Sequence, residues 1–209
     1  MSNRFVIADP HFGHTGMIQF VRSDGTPLRP EWGRADPDRL MSPEEAAERV
    51  EAMNEAMVER WNAVVGPKDK VEVLGDVVIN RRALPILGRL NGKKRLRMGN
   101  HDIFVKHHSA DYQPYFEEIT AYKVMPTEGV IMSHIPLHPC QLEHRWIGNI
   151  HGHMHAKRVM KTVTRYTPTY DGVSPVTYSE PDRRYLCVSV EQIDYTPLEF
   201  GEALSRLRG

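Results

Sequence analysis

Long apolar runs are missing from this chain of 209 residues. The run Phe5 to Ala8 is too short for the apolar core of a signal peptide, and no stretch approaches the roughly 20 residues that cross a bilayer. Cysteine is scarce: Cys140 and Cys187 stand far apart, which excludes a disulfide framework and a zinc knuckle by spacing. A reducing cytoplasm is the expected compartment, with no membrane partner. Net charge is absent too, 27 basic side chains facing 27 acidic ones. That balance rules out a globally basic nucleic-acid coat or an acidic tail but leaves local patches open. Internal repeats and low-complexity tracts are lacking. What remains is an ordinary globular composition, long enough for one domain with its own core, so a single domain over 1–209 is expected.

Histidine is the exception to this plainness: there are eleven, and six fall between His134 and His155. Around them the chain alternates short apolar runs with polar punctuation. Arg4 to Ala8 reads as a buried strand ended by Asp9-Pro10. A polar stretch at about 22–41 has no periodicity and is expected to be a long surface loop. Then Ser42 can cap a helix, Pro43 suits its first position, and Glu45 completes a capping box. Apolar residues recur at Ala46, Val50, Met53, Met57, Trp61 and Val64, until Gly66-Pro67 stops the pattern. Glu44, Glu48, Glu51, Glu55 and Glu59 form the opposite, solvated face. Further strands are read at Val71 to Leu74, Arg95 to Met98, Val130 to Ser133, Trp146 to Ile150 and Tyr185 to Val190. A short helix is expected from Phe200 to Leu207, and a second long surface loop at about 156–184.

The strands carry the chemistry at their ends. Five of them finish in a possible metal ligand: Asp9 and His11, Asp76, Asn100, His134, and the pair His153 and His155. In α/β proteins the carboxyl ends of strands form the edge where ligands gather. Oxygen and imidazole donors without thiolates suit manganese, iron, zinc, nickel or similar divalent ions. The set is too large for one tetrahedral zinc and suits two metals sharing a carboxylate, the arrangement of a dinuclear hydrolytic site.

The motifs DPH (9–11), GD (75–76), GNHD (99–102), SH (133–134) and GHMH (152–155), in that order, resemble the calcineurin-like metallophosphoesterase family. HFGH after Pro10, and Trp61-Asn62 ahead of VEVLGD, resemble its small bacterial and phage-type branch. The resemblance implies a fold of two mixed β-sheets in a sandwich flanked by helices, the βα alternation itself being visible in the sequence. It implies that Asp9, His11 and His155 hold a first metal, that Asn100, His134 and His153 hold a second, and that Asp76 bridges them. His101 matches the family's catalytic histidine, and Asp102 is expected to orient its imidazole. The implied reaction is attack on phosphorus by a metal-bridging hydroxide, with His101 protonating the leaving oxygen.

One departure narrows the substrate. Protein phosphatases of this superfamily read GDxVDRG, whereas this chain reads GDVVINRR, with Ile79 and Asn80 at the divergent positions. A phosphodiesterase acting on a cyclic nucleotide, a nucleic acid or a small diester is therefore expected. The alternatives are a phosphomonoesterase on nucleotides or small metabolites and a non-catalytic scaffold of the same fold. His14, three residues past His11, and Arg81 and Arg82, close to Asp76, are candidate substrate contacts. His151 is read as a supporting neighbour of the ligands and His138 as the cap of a turn. His107, His108 and His144 are read as surface residues. The basic run 81–97 reads as a solvated edge. Oligomeric state is not legible.

Overall fold

The computed structural model describes residues 2–34, 36, 39, 41–103, 108–170 and 172–208. In chain order its elements are β1 (Arg4–Ile7), α1 (Gly16–Gln19), α2 (Pro43–Val64), β2 (Lys70–Val73), β3 (Lys93–Arg97), α3 (Asn100–Ile103), α4 (His108–Tyr112), β4 (Glu118–Thr120), β5 (Tyr122–Met125), β6 (Val130–Ser133), β7 (Gly148–His151), β8 (Met160–Thr169), β9 (Gly172–Pro181), β10 (Tyr185–Cys187), β11 (Leu198–Glu199) and α5 (Phe200–Arg208). One sheet runs β11-β1-β2-β3-β4, the other β10-β7-β6-β5. Each is mixed. In the first only β11 is antiparallel to its neighbour, and in the second only β5. The α/β architecture with two mixed sheets and helices is as expected.

Both sheets feed one core. Val6, Ile7, Val71 and Leu96 of the first sheet share it with Val130, Met132 and Ile150 of the second. The sheets are stitched at their carboxyl edges, where Ala8 bridges Ser189 in parallel and donates its N–H to Val188 O at 2.9 Å. That seam brings the ends of β1 and β10 together, so the residues following the strands of both sheets meet in one place.

The helix α2 has the bounds its punctuation predicts. Ser42 Oγ accepts the N–H of Glu45 at 3.1 Å and Pro43 opens the first turn. Only half of the capping box forms, because the Glu45 carboxylate is drawn to Arg39 and Arg49. Ala46, Val50, Met53, Met57 and Trp61 are buried as expected, with Val58. Val64 is not, being 41% exposed in the last turn. The acidic stripe is solvated, Glu55 pairing with Arg89 at 2.5 Å.

Two segments differ from the sequence reading. Within 22–41 the described residues form turns without helix or strand, and 35, 37, 38 and 40 lie outside the description. The 156–184 segment is not a loop but carries the antiparallel hairpin β8–β9, a two-stranded sheet of its own. Its signal is hidden because it pairs only with itself and packs no apolar side into the core, so no period-two apolar pattern was required. The cross-strand pairs Met160/Pro181, Thr162/Ser179, Thr164/Thr177 and Tyr166/Pro175 put one uncharged face in solvent. The other face holds the Lys161–Glu180 ion pair at 3.2 Å and Arg165 stacked 5.2 Å from the Tyr178 ring centre. Among the described residues no helix is long and apolar enough to cross a membrane.

The first sheet also buries a charge network. Arg97 is fully buried and donates to Glu72 at 2.5 Å, to Glu118 at 2.6 Å and to Thr120 Oγ1 at 2.7 Å. Removing one member of a buried pair strands the other charge, which costs about 3–5 kcal/mol. Glu72→Ala is therefore expected to destabilise the fold by about 3 kcal/mol, Glu118 retaining part of the compensation. Urea denaturation midpoints measure this, and a change below about 1 kcal/mol would show that Arg97 finds full compensation elsewhere.

Candidate metal centre

Every predicted ligand lies just past a strand. Asp9 and His11 follow β1, Asp76 follows β2, and Asn100 follows β3. His134 follows β6, while His153 and His155 follow β7. The loops stay in register after the strands end, through Asp9 N–H to Gly75 O at 3.0 Å, His11 N–H to Asp76 O at 3.1 Å and Gly152 N–H to His134 O at 2.9 Å. Turning the ligands inward takes unusual backbone. Eight non-glycine residues among those described have positive φ, and five of them are Asp9, His11, Asp76, His153 and His155, at 49° to 68°. Left-handed backbone costs a non-glycine residue of order 1 kcal/mol or more and concentrates at functional sites. The loops are also closely packed. A Cβ on Gly75, whose φ is 86°, would lie 2.6 Å from His134 Nδ1, and one on Gly152 would lie 2.6 Å from Asp9 Oδ2.

Two groups of donor atoms result. Asp9, His11 and His155 form one, and Asp76, His134 and His153 form the other, the atoms of each lying within 4.8 Å of one another. Asn100 joins the second group: its Oδ1 is 2.9 Å from His134 Nε2 and 3.0 Å from His153 Nδ1. Asp76 Oδ2 faces both groups, 3.6 Å from His11 Nε2 and 3.4 Å from His134 Nε2. Among the described residues, Asp9 Oδ1 and both ring nitrogens of His11 are buried without a hydrogen-bond partner, a costly state for polar atoms. His134 directs Nδ1 at Leu74 O, 2.8 Å away. A carbonyl can only accept, so Nδ1 carries the proton and the Nε2 lone pair is left for a cation. Orphaned oxygen and nitrogen donors, converging without thiolate, fit divalent metal ions. Neither cysteine joins them: Cys140 is exposed, and burial pushes the Cys187 thiol up to about 11.

The electrostatics of the metal-free site tell the same story. Burial raises the Asp9 carboxyl to about 6, against the opposing attraction of His134 and His155. Burial also holds His11 well below the ordinary imidazole range, assisted by the Arg29 charge, so it is neutral and able to ligate. His134 is lowered by burial, but its hydrogen bond to Asp76 and the charges of Asp9 and Asp76 carry it up to about 9. Without a cation, the carboxylates recruit a proton onto an imidazole instead.

A second layer of buried groups holds this arrangement. Arg29, fully buried, donates to Asp9 O at 2.8 Å, to Pro10 O at 2.9 Å and to Glu191 Oε1 at 2.8 Å. Glu191 Oε2 in turn lies 3.1 Å from His155 Nδ1. Burial would raise Glu191, but Arg29 and His155 bring it down to about 2. Ser189 Oγ donates to Asp9 Oδ2 at 2.7 Å, and Asn54 of α2 accepts the Gly13 N–H at 3.1 Å. The sequence reading missed these four. Ser189 and Glu191 follow β10, so the strand-end argument that found the ligands extends to them. Arg29, in a stretch without periodicity, left no such signal.

Two expectations are corrected, those for Asp102 and Arg81. Asp102 does not orient His101. Its oxygens accept the N–H groups of Asp76 at 2.7 Å, Gly99 at 2.8 Å and Val77 at 3.1 Å, and the Tyr112 hydroxyl at 2.8 Å. It lies in the first turn of α3, between the loops after β2 and β3, and the main-chain amides of those loops take up its oxygens. Arg81 does not turn to the cluster but pairs with Asp111 of α4 at 2.7 Å, while Arg82 stands exposed with its N–H capped by Asn80. His101 and His14 do stand beside His11, with ring centres 5.2 Å and 5.5 Å from it. His151 is buried behind the ligands, its Nδ1 directed at Gly152 O, and His138 accepts the Cys140 N–H as the cap of a turn. His144 is exposed, and His107 lies outside the described residues.

The raised Asp9 carboxyl gives a signed prediction. Below the unfolded value of 3.8 it is neutral in both states; as pH rises through about 6 it must ionise while buried, and the penalty is fully present above that. Two pKa units correspond to about 3 kcal/mol. In chelator at pH 7.5, Asp9→Asn should thus stabilise the chain by about 2–3 kcal/mol and at pH 4 by far less, while metal uptake falls. Denaturation at the two pH values, with metal analysis, checks the sign. Glu191→Gln, which keeps the shape but removes the charge facing His155, is expected to weaken metal affinity by about 10-fold or more, read by competition with a chelating dye.

No family model matches the chain. The uncharacterised protein MJ1445 of Methanocaldococcus jannaschii is 28% identical over 203 residues, which are 95% of this chain and 87% of that protein. The gene 66 protein of Mycobacterium phage L5 is 30% identical over 107 residues, 49% of this chain and 41% of its own length. A crystal structure of AQ665 from Aquifex aeolicus, a protein of unknown function, aligns with a TM-score of 0.57 at 20% identity, covering 97% of both chains. The chain is thus a homologue of MJ1445 with the fold of AQ665, carrying two Asp/His groups able to hold metal ions.

Proposed function

We propose that this chain is a dinuclear metal-dependent phosphoric ester hydrolase that cleaves phosphodiesters, with a cyclic nucleotide, a nucleic acid or a small diester as its substrate class. The observation that carries the reading is the Asp76 carboxylate, one oxygen of which faces His11 of one donor group and His134 of the other. In this reading Asp9, His11 and His155 would hold the first ion, Asn100, His134 and His153 the second, and Asp76 would be shared between them. The family resemblance of the five motifs supports the same assignment. Two such ions, manganese being the first choice, supply Lewis acidity: they bring the pKa of water toward neutrality and offset charge on the phosphoryl oxygens.

The remaining work falls to the chain's own side chains. His101 stands at the rim, 39% exposed, with its backbone N–H anchored on Asp76 Oδ1 at 2.9 Å. From there its imidazole delivers a proton to the leaving oxygen. His14, beside His11 and His101, contacts a phosphoryl oxygen. Asp102 is a positioning residue, acting through the amides of Asp76 and Gly99. The preference for diesters rests on Ile79 and Asn80, where protein phosphatases carry the acidic and basic residues of DRG. Asn80 is spent on structure, binding Gly13 O and capping Arg82 N.

The direct test is hydrolysis of matched aryl diester and monoester substrates by manganese-reconstituted protein, with chelated protein as control. Faster diester cleavage is expected. Faster monoester cleavage would replace the reading with a phosphomonoesterase, and two bound metals without hydrolysis of either would point to a scaffold. His101→Asn should keep both metals and lower turnover about 100-fold or more; wild-type turnover would remove His101 from the reaction. Asp76→Asn should lose metal from both positions, as read by metal analysis of the purified variant.

A further inference from the structure

The turn Phe20–Leu28 and the ligand-bearing segment His153–Lys157 line one groove of about 840 Å³. Its walls combine His153 and His155 with Phe20, Val21, Leu28 and Met154. The volume is that of a site for a small organic molecule. Two of the apolar side chains are conspicuous, Phe20 being 49% and Val21 44% exposed, a solvation cost that a ligand would relieve.

This wall is built rather than loose. Val21 bridges Pro27, the Arg22 N–H reaches Thr26 O at 2.7 Å, and the Leu28 N–H reaches Phe20 O at 2.8 Å. Asp24 closes the turn by accepting the Thr26 N–H at 2.9 Å and its hydroxyl at 2.6 Å. The next residue is Arg29, bound to the carbonyls of Asp9 and Pro10. The apolar wall is thereby held in fixed relation to the donor groups. Arg22 and Lys157 bring two positive charges to the groove against the one carboxylate of Asp24, which accepts from Thr26. The Phe20 and His14 rings stand nearly perpendicular, with centres 5.9 Å apart, and about half of Phe20 remains exposed to a ligand.

We infer that this groove receives the organic group of the phosphoester, that the group is a planar aromatic ring, and that Phe20 is the specificity-determining residue against which it packs. The inference rests on the phosphoesterase reading above. Aromatic stacking against an exposed side chain discriminates by about 10-fold, and a groove with apolar walls and a net positive charge disfavours a cationic head group.

The test uses phosphonates, whose C–P bond is not a substrate for ester hydrolysis. Manganese-loaded full chain is titrated calorimetrically with methylphosphonate, phenylphosphonate and cyclohexylphosphonate. Phenylphosphonate is expected to bind about 10-fold more tightly than methylphosphonate, with Phe20→Ala removing most of that preference and Phe20→Trp keeping it. Equal binding of phenyl and methyl compounds, or a preference untouched in Phe20→Ala, overturns the groove assignment and leaves the phosphoesterase reading standing. Cyclohexyl binding as tight as phenyl overturns the aromatic assignment. Failure of all three to bind the metal-loaded chain overturns the phosphoesterase reading and the inference together.

Discussion

The site depends on one buried guanidinium. Arg29 is inserted between the loop after β1 and the segment after β10, and it satisfies two main-chain carbonyls while neutralising Glu191. Without it, two carbonyls would stand unpaired in the core, and the buried Glu191 that faces His155 would lose its countercharge. Because Arg29 directly follows the turn that walls the neighbouring groove, the same contact places that wall. A single planar group thus joins ends of both sheets, one donor group and the wall of a groove, a task suited to five donors in a rigid fork.

The other half of the arrangement is held in the complementary way. Asp102 gathers three main-chain N–H groups and a hydroxyl, so a negative side chain organises the loops after β2 and β3 as a positive one organises those after β1 and β10. Between these anchors lie carboxylates and imidazoles whose protonation states conflict while no cation is shared among them. Left-handed backbone at five of the predicted ligands shows where the fold accommodates that crowding. Strain and electrostatic frustration fall on the same residues, as expected of a site kept for ligation rather than for stability.

The sequence made the donor residues legible because each lies at the end of an apolar run, and the strand-end rule needs no knowledge of sheet order. The long helix was equally plain, since propensity, cap and stripe agree over 43–64. Less local facts were hidden. Strands β4 and β11 are too short to show a period, β5 is largely unburied and carries Lys123 in place of an apolar run, and the hairpin lacks a buried side. Asp102 was misjudged because its neighbour in sequence is His101, while its partners in space are amides of loops about 25 residues away. Arg29 could not be found from pattern alone, because a buried arginine in a polar stretch looks like any surface residue until its partners are known.

The hairpin β8–β9 interrupts the connection between the parallel neighbours β7 and β10, a place where such folds commonly put a crossover helix. Its ladder closes on itself, so adding or deleting a cross-strand pair would alter the reach of the arm without changing the register of β7 and β10. The donor-bearing edge and the arm are therefore separable in an evolutionary sense. Descendants of this fold are free to lengthen, shorten or exchange the arm as one unit, and with it the outer surface of the protein, while the donor groups at its root stay in place.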